Sequence, residues 1–271
     1  MTDQDVLVAA ILSSGVVLPS PGAGFLRLQA AATDEDAGPR EFTAAIAHDP
    51  ALTGALLRVA NSPVFRPRSA PRSVHEAITM LGRVRTLATA ASTAMRGQCV
   101  GLDAAAIEAL WQASARAADL SYLFCRGTEH RAWADTAYLA ALMQDAGVAV
   151  LLRRAPEHAR LLRQSGPALE AGTRAVNALT GCDHAAAGFL VARNWRLPEV
   201  VCDAIRCHHD PQLAGRLADN PRRIALLLAI GRRLRDGPSP DWTDWAAPVQ
   251  EAFGVDEDEL DRLFTEFTGR S

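Results

Sequence analysis

Two segments of the chain concentrate residues able to hold a metal ion. Residues 197–207 form an apolar stretch that closes on His208, His209 and Asp210. Residues 137–147 place Gln144 and a solitary carboxylate, Asp145, among alanines and leucines. Imidazole nitrogens and a carboxylate are the ligands with which a protein binds a divalent ion and lowers the pKa of its bound water, the chemistry of metal-assisted hydrolysis. The set is incomplete for that purpose. A neutral amide such as Gln144 is a weak ligand, and a hydrolytic centre needs several strong ones with one position left open. The pattern therefore favours a binding or regulatory role over catalysis.

Asp145 admits more than one reading. In an apolar helix it must raise its pKa or find a donor. It could accept a hydrogen bond from a helix-end amide, pair with His184 or His208, or contribute to a residual metal or anion site with His184, His208 and His209. Neighbouring helical residues point about 100° apart, so His208 and His209 can face one ion only if the helix ends there. Asp210 and Pro211 supply such an ending. No other catalytic set stands out: Ser62 lacks a histidine at triad-like spacing, the cysteines lack an activating base, and there is no glycine-rich phosphate loop.

The elements that must position these residues read as almost entirely helical, because apolar positions recur at three and four and almost nowhere at two. Helices are expected at 3–13, then from Pro21 with Ser20 as cap, at 39–48, and from Asp49–Pro50 to about Ala60. Residues 61–72, with three prolines, form a loop. Ser73 and Glu76 have capping-box spacing and open a helix that breaks at Gly82 before continuing to Met95. Asp103 caps a helix to about Arg126. A single buried helix is expected over 132–154, followed by shorter ones at 155–164, 183–195, 198–208 and 221–235. Trp111 and Trp195 lie in apolar helical patterns and are expected as core anchors rather than base-stacking platforms. The domain expectation is an N-terminal helical lobe at 1–100, a second lobe at 101–236 and an acidic extension at 237–271. That extension carries Trp242, Trp245, Phe253, Leu260, Leu263, Phe264 and Phe267 on two helices, too much apolar surface for a solubilising tail. Docking in cis and docking on a second subunit both remain open.

Composition bounds the rest. A chain of 271 residues, 49% apolar, can bury a substantial core. Its five cysteines (Cys99, Cys125, Cys182, Cys202, Cys207) form an odd set without C-x-x-C spacing, which fits a reducing compartment. The acidic start and the lack of an uninterrupted apolar stretch of spanning length point to a cytoplasmic protein without a membrane association. The net charge of -3 hides an asymmetry. Residues 58–85 carry Arg58, Arg66, Arg68, Arg72, Arg83 and Arg85 against Glu76, whereas 236–271 hold ten acids against two arginines. The arginine cluster could meet an anionic partner or be a solvated surface. Nucleic acid is not the expected partner, since the acidic remainder weakens long-range attraction.

Taken in order, several short motifs carry a family likeness. They are Leu18–Pro21, His48–Leu52, Val59–Pro63 with Phe65, Ala77–Ile78 with Leu81–Gly82, Trp111–Ser114, Leu142–Gly147, His184, Trp195–Pro198 and Ala204–His209. Together they resemble the HDOD domain family, bacterial signalling proteins related to HD-type phosphohydrolases, over about residues 12–235. The resemblance implies an all-α, two-lobed architecture with a degenerate HD-type core. In catalytic HD relatives the metal is held by a histidine, a histidine–aspartate pair on the next helix, and a further aspartate. Those positions fall here on Ala113, on Gln144–Asp145, and in the helix 223–229, which has no acid. His184, His208 and His209 match positions serving the second metal of two-metal relatives. The likeness thus implies a non-enzymatic scaffold with no cofactor and no bound metal. Its expected partner is a signalling protein, of a two-component or cyclic-dinucleotide pathway, or else an anionic small ligand; a homodimer is a further option. Two alternatives stay open, an altered metal-dependent phosphohydrolase and nucleotide or nucleic-acid binding through the arginine-rich loop.

Overall fold

A computed structural model of the chain describes residues 11, 13, 15–65, 70–164 and 169–268, and all regular structure among them is helical. The helix expected at 3–13 lies almost wholly outside the described residues. The chain divides into two compact units, Ser20–Val100, and Met1–Pro19 joined with Gly101–Ser271.

The first unit contains α1 (Ala23–Thr33), α2 (Pro39–Ile46), α3 (Pro50–Ala60) and α4 (Val74–Gly97). Phe25, Leu28, Phe42, Ile46, Leu56, Ile78 and Leu81 fill its core. The helix expected from Pro21 begins two residues later, at Ala23, with Gly22 as its uncapped start. Asp49 caps α3 by accepting from the Leu52 amide at 3.0 Å. Ser73 caps α4 through the Glu76 amide, but Glu76 turns its carboxylate to the amide of Arg72, so only half of the expected box forms. Gly82, with φ 74° and ψ 177°, breaks α4 in a conformation open to glycine and costly for other residues. The break strips the carbonyls of Met80 and Leu81 of helical partners, and the Arg85 guanidinium supplies donors at 3.2 and 2.6 Å.

The second unit is built around α5 (Ala104–Gly127), α6 (Ala134–Met143), α7 (Ala146–Arg154) and α13 (Asp219–Asp236), with α8 (Ala159–Gln164), α9 (Glu170–Thr180), α10 (His184–Asn194), α11 (Glu199–Cys207) and α12 (Pro211–Gly215) packed about them. Trp111 and Trp195 are fully enclosed, and the Trp195 indole donates to the Pro19 carbonyl at 2.8 Å. Small residues allow close crossings. A Cβ on Gly147 would collide with the backbone of His184 and Gly188, so α7 and α10 touch main chain to main chain. Ser121 on α5 donates to the Leu227 carbonyl of α13 at 3.1 Å.

Three expectations require correction. The helix expected over 132–154 is interrupted at Gln144–Asp145, because Asp145 adopts φ -97°, ψ 9°. The stretch 131–154 is, by length and composition, apolar enough to cross a membrane, contrary to the sequence reading; 89% of it is buried inside the protein, as in a core helix. Helix α9 was not anticipated, since its alanines and glycine blur the apolar stripe.

The extension forms α14 (Thr243–Phe253) and α15 (Glu257–Thr268) and docks in cis. Trp245, Val249, Phe253 and Leu260 are buried. Phe253 stacks edge-on to Phe124 with centroids 6.0 Å apart, Asp261 pairs with Arg233, and Arg116 donates to the Phe267 carbonyl. The α7–α10 crossing gives a direct test. Gly147→Ala forces backbone apart and should destabilise the protein by about 1–3 kcal/mol, read as a lower denaturation midpoint. An unchanged midpoint would contradict the crossing.

Candidate functional site

The break between α6 and α7 delivers Asp145 to a buried point where three other elements end. His184 is the first residue of α10, whose start is fixed by Asp183 accepting from the Ala185 amide at 3.0 Å. His208 and His209 follow the end of α11, and Asp210 then caps α12 through the Leu213 amide. The chain turns here as Asp210–Pro211 suggested, so both histidines reach one place, with ring centroids 4.2 Å apart. One ligating atom from each of Asp145, His184, His208 and His209 lies within 4.8 Å of every other.

Hydrogen bonds fix the tautomers. His208 Nδ1 donates to the Ile205 carbonyl at 2.7 Å, and His184 Nδ1 donates to Asn177 Oδ1 at 3.0 Å. His209 Nδ1 lies 3.1 Å from Glu170 Oε1. An imidazole with its proton on Nδ1 keeps its lone pair on Nε2. Nε2 of His184 and Nε2 of His208 each stand 3.7 Å from Asp145 Oδ1 and have no other partner. Asp145 is 7% exposed, His184 1% and His208 0%. Buried lone pairs facing one carboxylate oxygen repel unless a cation lies among them, either a proton or a metal ion. The donor set fits a metal: three imidazoles and a carboxylate, with acceptors orienting the rings from behind.

Burial would raise the Asp145 carboxyl, but His208, His184 and Arg235 hold it below the ordinary range. Burial, with the neighbouring His208, pushes His184 down to about 4. His209 is lowered too, by burial first and then by His208 and Arg232. The helix-amide reading of Asp145 is not realised, because its side chain caps nothing. Ser114 Oγ approaches its second oxygen at 3.5 Å.

The other half of the expected pocket is filled differently. Gln144 is fully buried, and its Oε1 accepts from Arg232 at 3.3 Å, so the amide oxygen is spent. Arg232 also donates to the His208 carbonyl. Ala113 offers no side-chain ligand, and its carbonyl accepts from Arg235, which is clamped by Asp236 at 2.6 Å through both Nε and Nη2. A guanidinium therefore sits beside the position where a first metal's histidine would stand. Sequence reasoning missed Glu170, Asn177, Ser114, Arg232 and Arg235. The signal for the last two was available, since arginines in an apolar helix must be paired.

The arginine-rich segment is not one surface. Arg83 gives its guanidinium to the carbonyls of Ala32, Asp34, Glu35 and Ala37, and Arg85 folds onto the α4 break and over Phe65. Both serve the fold. Arg58 and Arg72 are exposed, and Arg66 and Arg68 lie outside the described residues. The five cysteines are buried free thiols, and burial pushes Cys125, Cys202 and Cys207 up to about 12.

An all-helical core with this half-kept, half-filled pocket defines an HD-related helical protein. The HDOD domain matches residues 18–211, and the chain belongs to that family, whose members are non-catalytic relatives of HD-type phosphohydrolases associated with signal transduction. Solved structures share the fold. An HDOD domain protein from Geobacter sulfurreducens is 21% identical, with 98% of this chain and 95% of that one covered and a TM-score of 0.67. A candidate metal-dependent phosphohydrolase from Shewanella amazonensis SB2B is 19% identical, over 97% and 96% of the two chains, with a TM-score of 0.67. A candidate signal transduction protein from Marinobacter aquaeolei VT8 is 24% identical, over 99% of this chain and 63% of that one, with a TM-score of 0.66. An uncharacterized protein of Treponema pallidum (strain Nichols) is 24% identical over 210 residues, which are 77% of this chain and 41% of that protein. The chain therefore spans less than half the length of that relative.

The His184 shift has a pH consequence. The folded chain binds this proton more weakly than the unfolded chain, where the pKa is near 6.5, so acidification from 6.5 towards about 4 removes stability. Asp119, raised to about 7 by burial, works in the opposite direction, and comparison with a variant cancels it. The stability advantage of the parent over His184→Gln should shrink as pH falls through that window. A constant difference in melting temperature from pH 6.5 to 4 would contradict the assignment.

Proposed function

We propose that this chain is a non-enzymatic regulatory module that passes on a signal by engaging a protein partner, with an anionic small ligand as the input. One observation carries the reading. The first-metal half of the pocket holds Ala113, a Gln144 committed to Arg232, and the Arg235 guanidinium in place of ligands. The Arg235 guanidinium, held by Asp236, is a fixed cation of the chain that cannot polarise a water or leave a coordination position open. Purified full-length protein, supplied with Mn2+, Mg2+ or Zn2+, should hydrolyse neither cyclic dinucleotides nor phosphomonoesters. Turnover that disappears in Asp145→Ala would overturn the reading.

The anionic-ligand part has its own support. A surface hollow beside Ala113 is lined by Gln112, Arg116, Arg163 and Arg235. Of the three guanidiniums, Arg235 is held by Asp236 and Arg116 by the Phe267 carbonyl, while the half-exposed Arg163, 3.3 Å from Asp103, is the one placed to meet a phosphate or carboxylate group. A cyclic dinucleotide is a fitting probe, because the family resemblance implies a two-component or a cyclic-dinucleotide pathway and the latter would supply one. Binding followed by calorimetry should weaken at least about tenfold in Arg163→Glu, a loss of the size expected for a charge-assisted contact, and should weaken further with salt. Equal affinity in parent and variant would remove this hollow as the ligand site. The arginine-rich loop is the weaker alternative, because Arg83 and Arg85 are turned inward.

A further inference from the structure

We infer that Arg116 couples the anion hollow to the C-terminal extension: an anion in the hollow and the last turn of α15 compete for its guanidinium, so that occupancy of the hollow loosens that turn. This rests on the anionic-ligand reading of the hollow and adds its regulation.

The hollow measures about 490 Å3 and is lined from α5, α8 and α13. Ala109, Gln112 and Arg116 line it from one face of α5, at the spacing of three and four that makes residues neighbours on a helix surface. Its guanidiniums differ in their commitments. Arg235 is clamped by Asp236 through Nε and Nη2 and donates to the Ala113 carbonyl, while Arg163 is half-exposed and 3.3 Å from Asp103. Arg116 belongs to both the hollow and the extension. Its Nη2 donates to the carbonyl of Phe267, 151 residues further along the chain, at 2.9 Å.

That carbonyl lies in the last turn of α15, where backbone acceptors have no helical partner and the helix dipole leaves about half a negative charge. The first turn of α15 holds Glu257, Asp258 and Glu259, which suit the positive end, but its last turn holds no basic residue. Arg116 supplies the missing cation from α5. Phe264 steadies the same turn, with its ring 3.5 Å from where a Cβ on Gly237 would stand. Earlier turns are anchored more deeply, by the fully buried Leu260 and by Asp261 paired with Arg233. A phosphate group offers Arg116 charged acceptors, whose hydrogen bonds are about twice as strong as those to a neutral carbonyl. It also brings a second negative charge to the cation that offsets the helix end, which weakens that contact even where the hydrogen bond persists. Both effects have the same sign. The deeper anchors confine the loosening to 264–268, and a docked turn in return lowers the affinity for the anion.

Amide exchange of the full chain tests this with two probes, cyclic diguanylate and inorganic phosphate. Saturation with a probe that binds should speed exchange over 264–268 severalfold and leave 243–260 unchanged. Arg116→Met, which keeps the stem and loses the donors, should exchange fast over 264–268 without a probe and gain nothing from one, with helical circular dichroism retained. Phe264→Ala loosens the turn from its other side and should bind the probe about two- to fivefold tighter, the size of a charge contact at a helix end. Binding that leaves exchange over 264–268 unchanged, or equal affinity in the parent and Phe264→Ala, overturns the coupling and leaves the anionic-ligand reading intact. Slow exchange in Arg116→Met overturns it without any ligand. Absence of binding by both probes removes the anionic-ligand reading and the coupling with it.

Discussion

The structure depends on one constraint, a carboxylate placed inside an apolar helical core. A charge at Asp145 is tolerable only where polar groups replace the lost water. The fold provides them by ending elements there. The α6–α7 helix breaks, α10 begins and α11 finishes at the same point, while α9 and α13 supply the outer partners. Helix termini are the natural place for such a cluster, because their backbone groups are already unpaired and their side chains are free to converge. The close crossing at Gly147 follows from the same demand, since only direct backbone contact brings His184 near enough to Asp145.

The two halves of the pocket answer the charge in different ways. Around Ala113 the positive charge is covalent, supplied by Arg235 and held by Asp236. Around His184 and His208 only a proton or a metal ion could supply it, since Nε2 of both rings faces the carboxylate at 3.7 Å. A guanidinium cannot dissociate, so the first half has a constant charge, whereas the second can respond to its surroundings. That difference separates a fixed charge from a variable one within one buried pocket.

Much of this was legible in the sequence. The all-α class, the caps at Asp49, Ser73 and Asp103, the Gly82 break and the chain reversal at Asp210–Pro211 are local signals, and local signals survive into the structure. The family motifs also marked His184, His208 and His209 as one set. What escaped is non-local. Helix α9 packs on α7 and α8, and its Glu170 and Asn177 matter only because that packing sets them beside His209 and His184. The interruption at Asp145 has no glycine or proline to announce it; tertiary contacts impose it on a sequence whose own preference is continuous helix. Arg83 and Arg85 read as exposed, solvated or facing an anionic partner, because a count of charges says nothing about which carbonyls lie within reach.

The buried thiols have a consequence of their own. With Cys125, Cys202 and Cys207 raised to about 12, almost no thiolate exists at neutral pH, and the thiolate is the form that attacks peroxides and disulfides. None of the four converging donors is a sulfur. The four donors therefore offer peroxide no thiolate to oxidise.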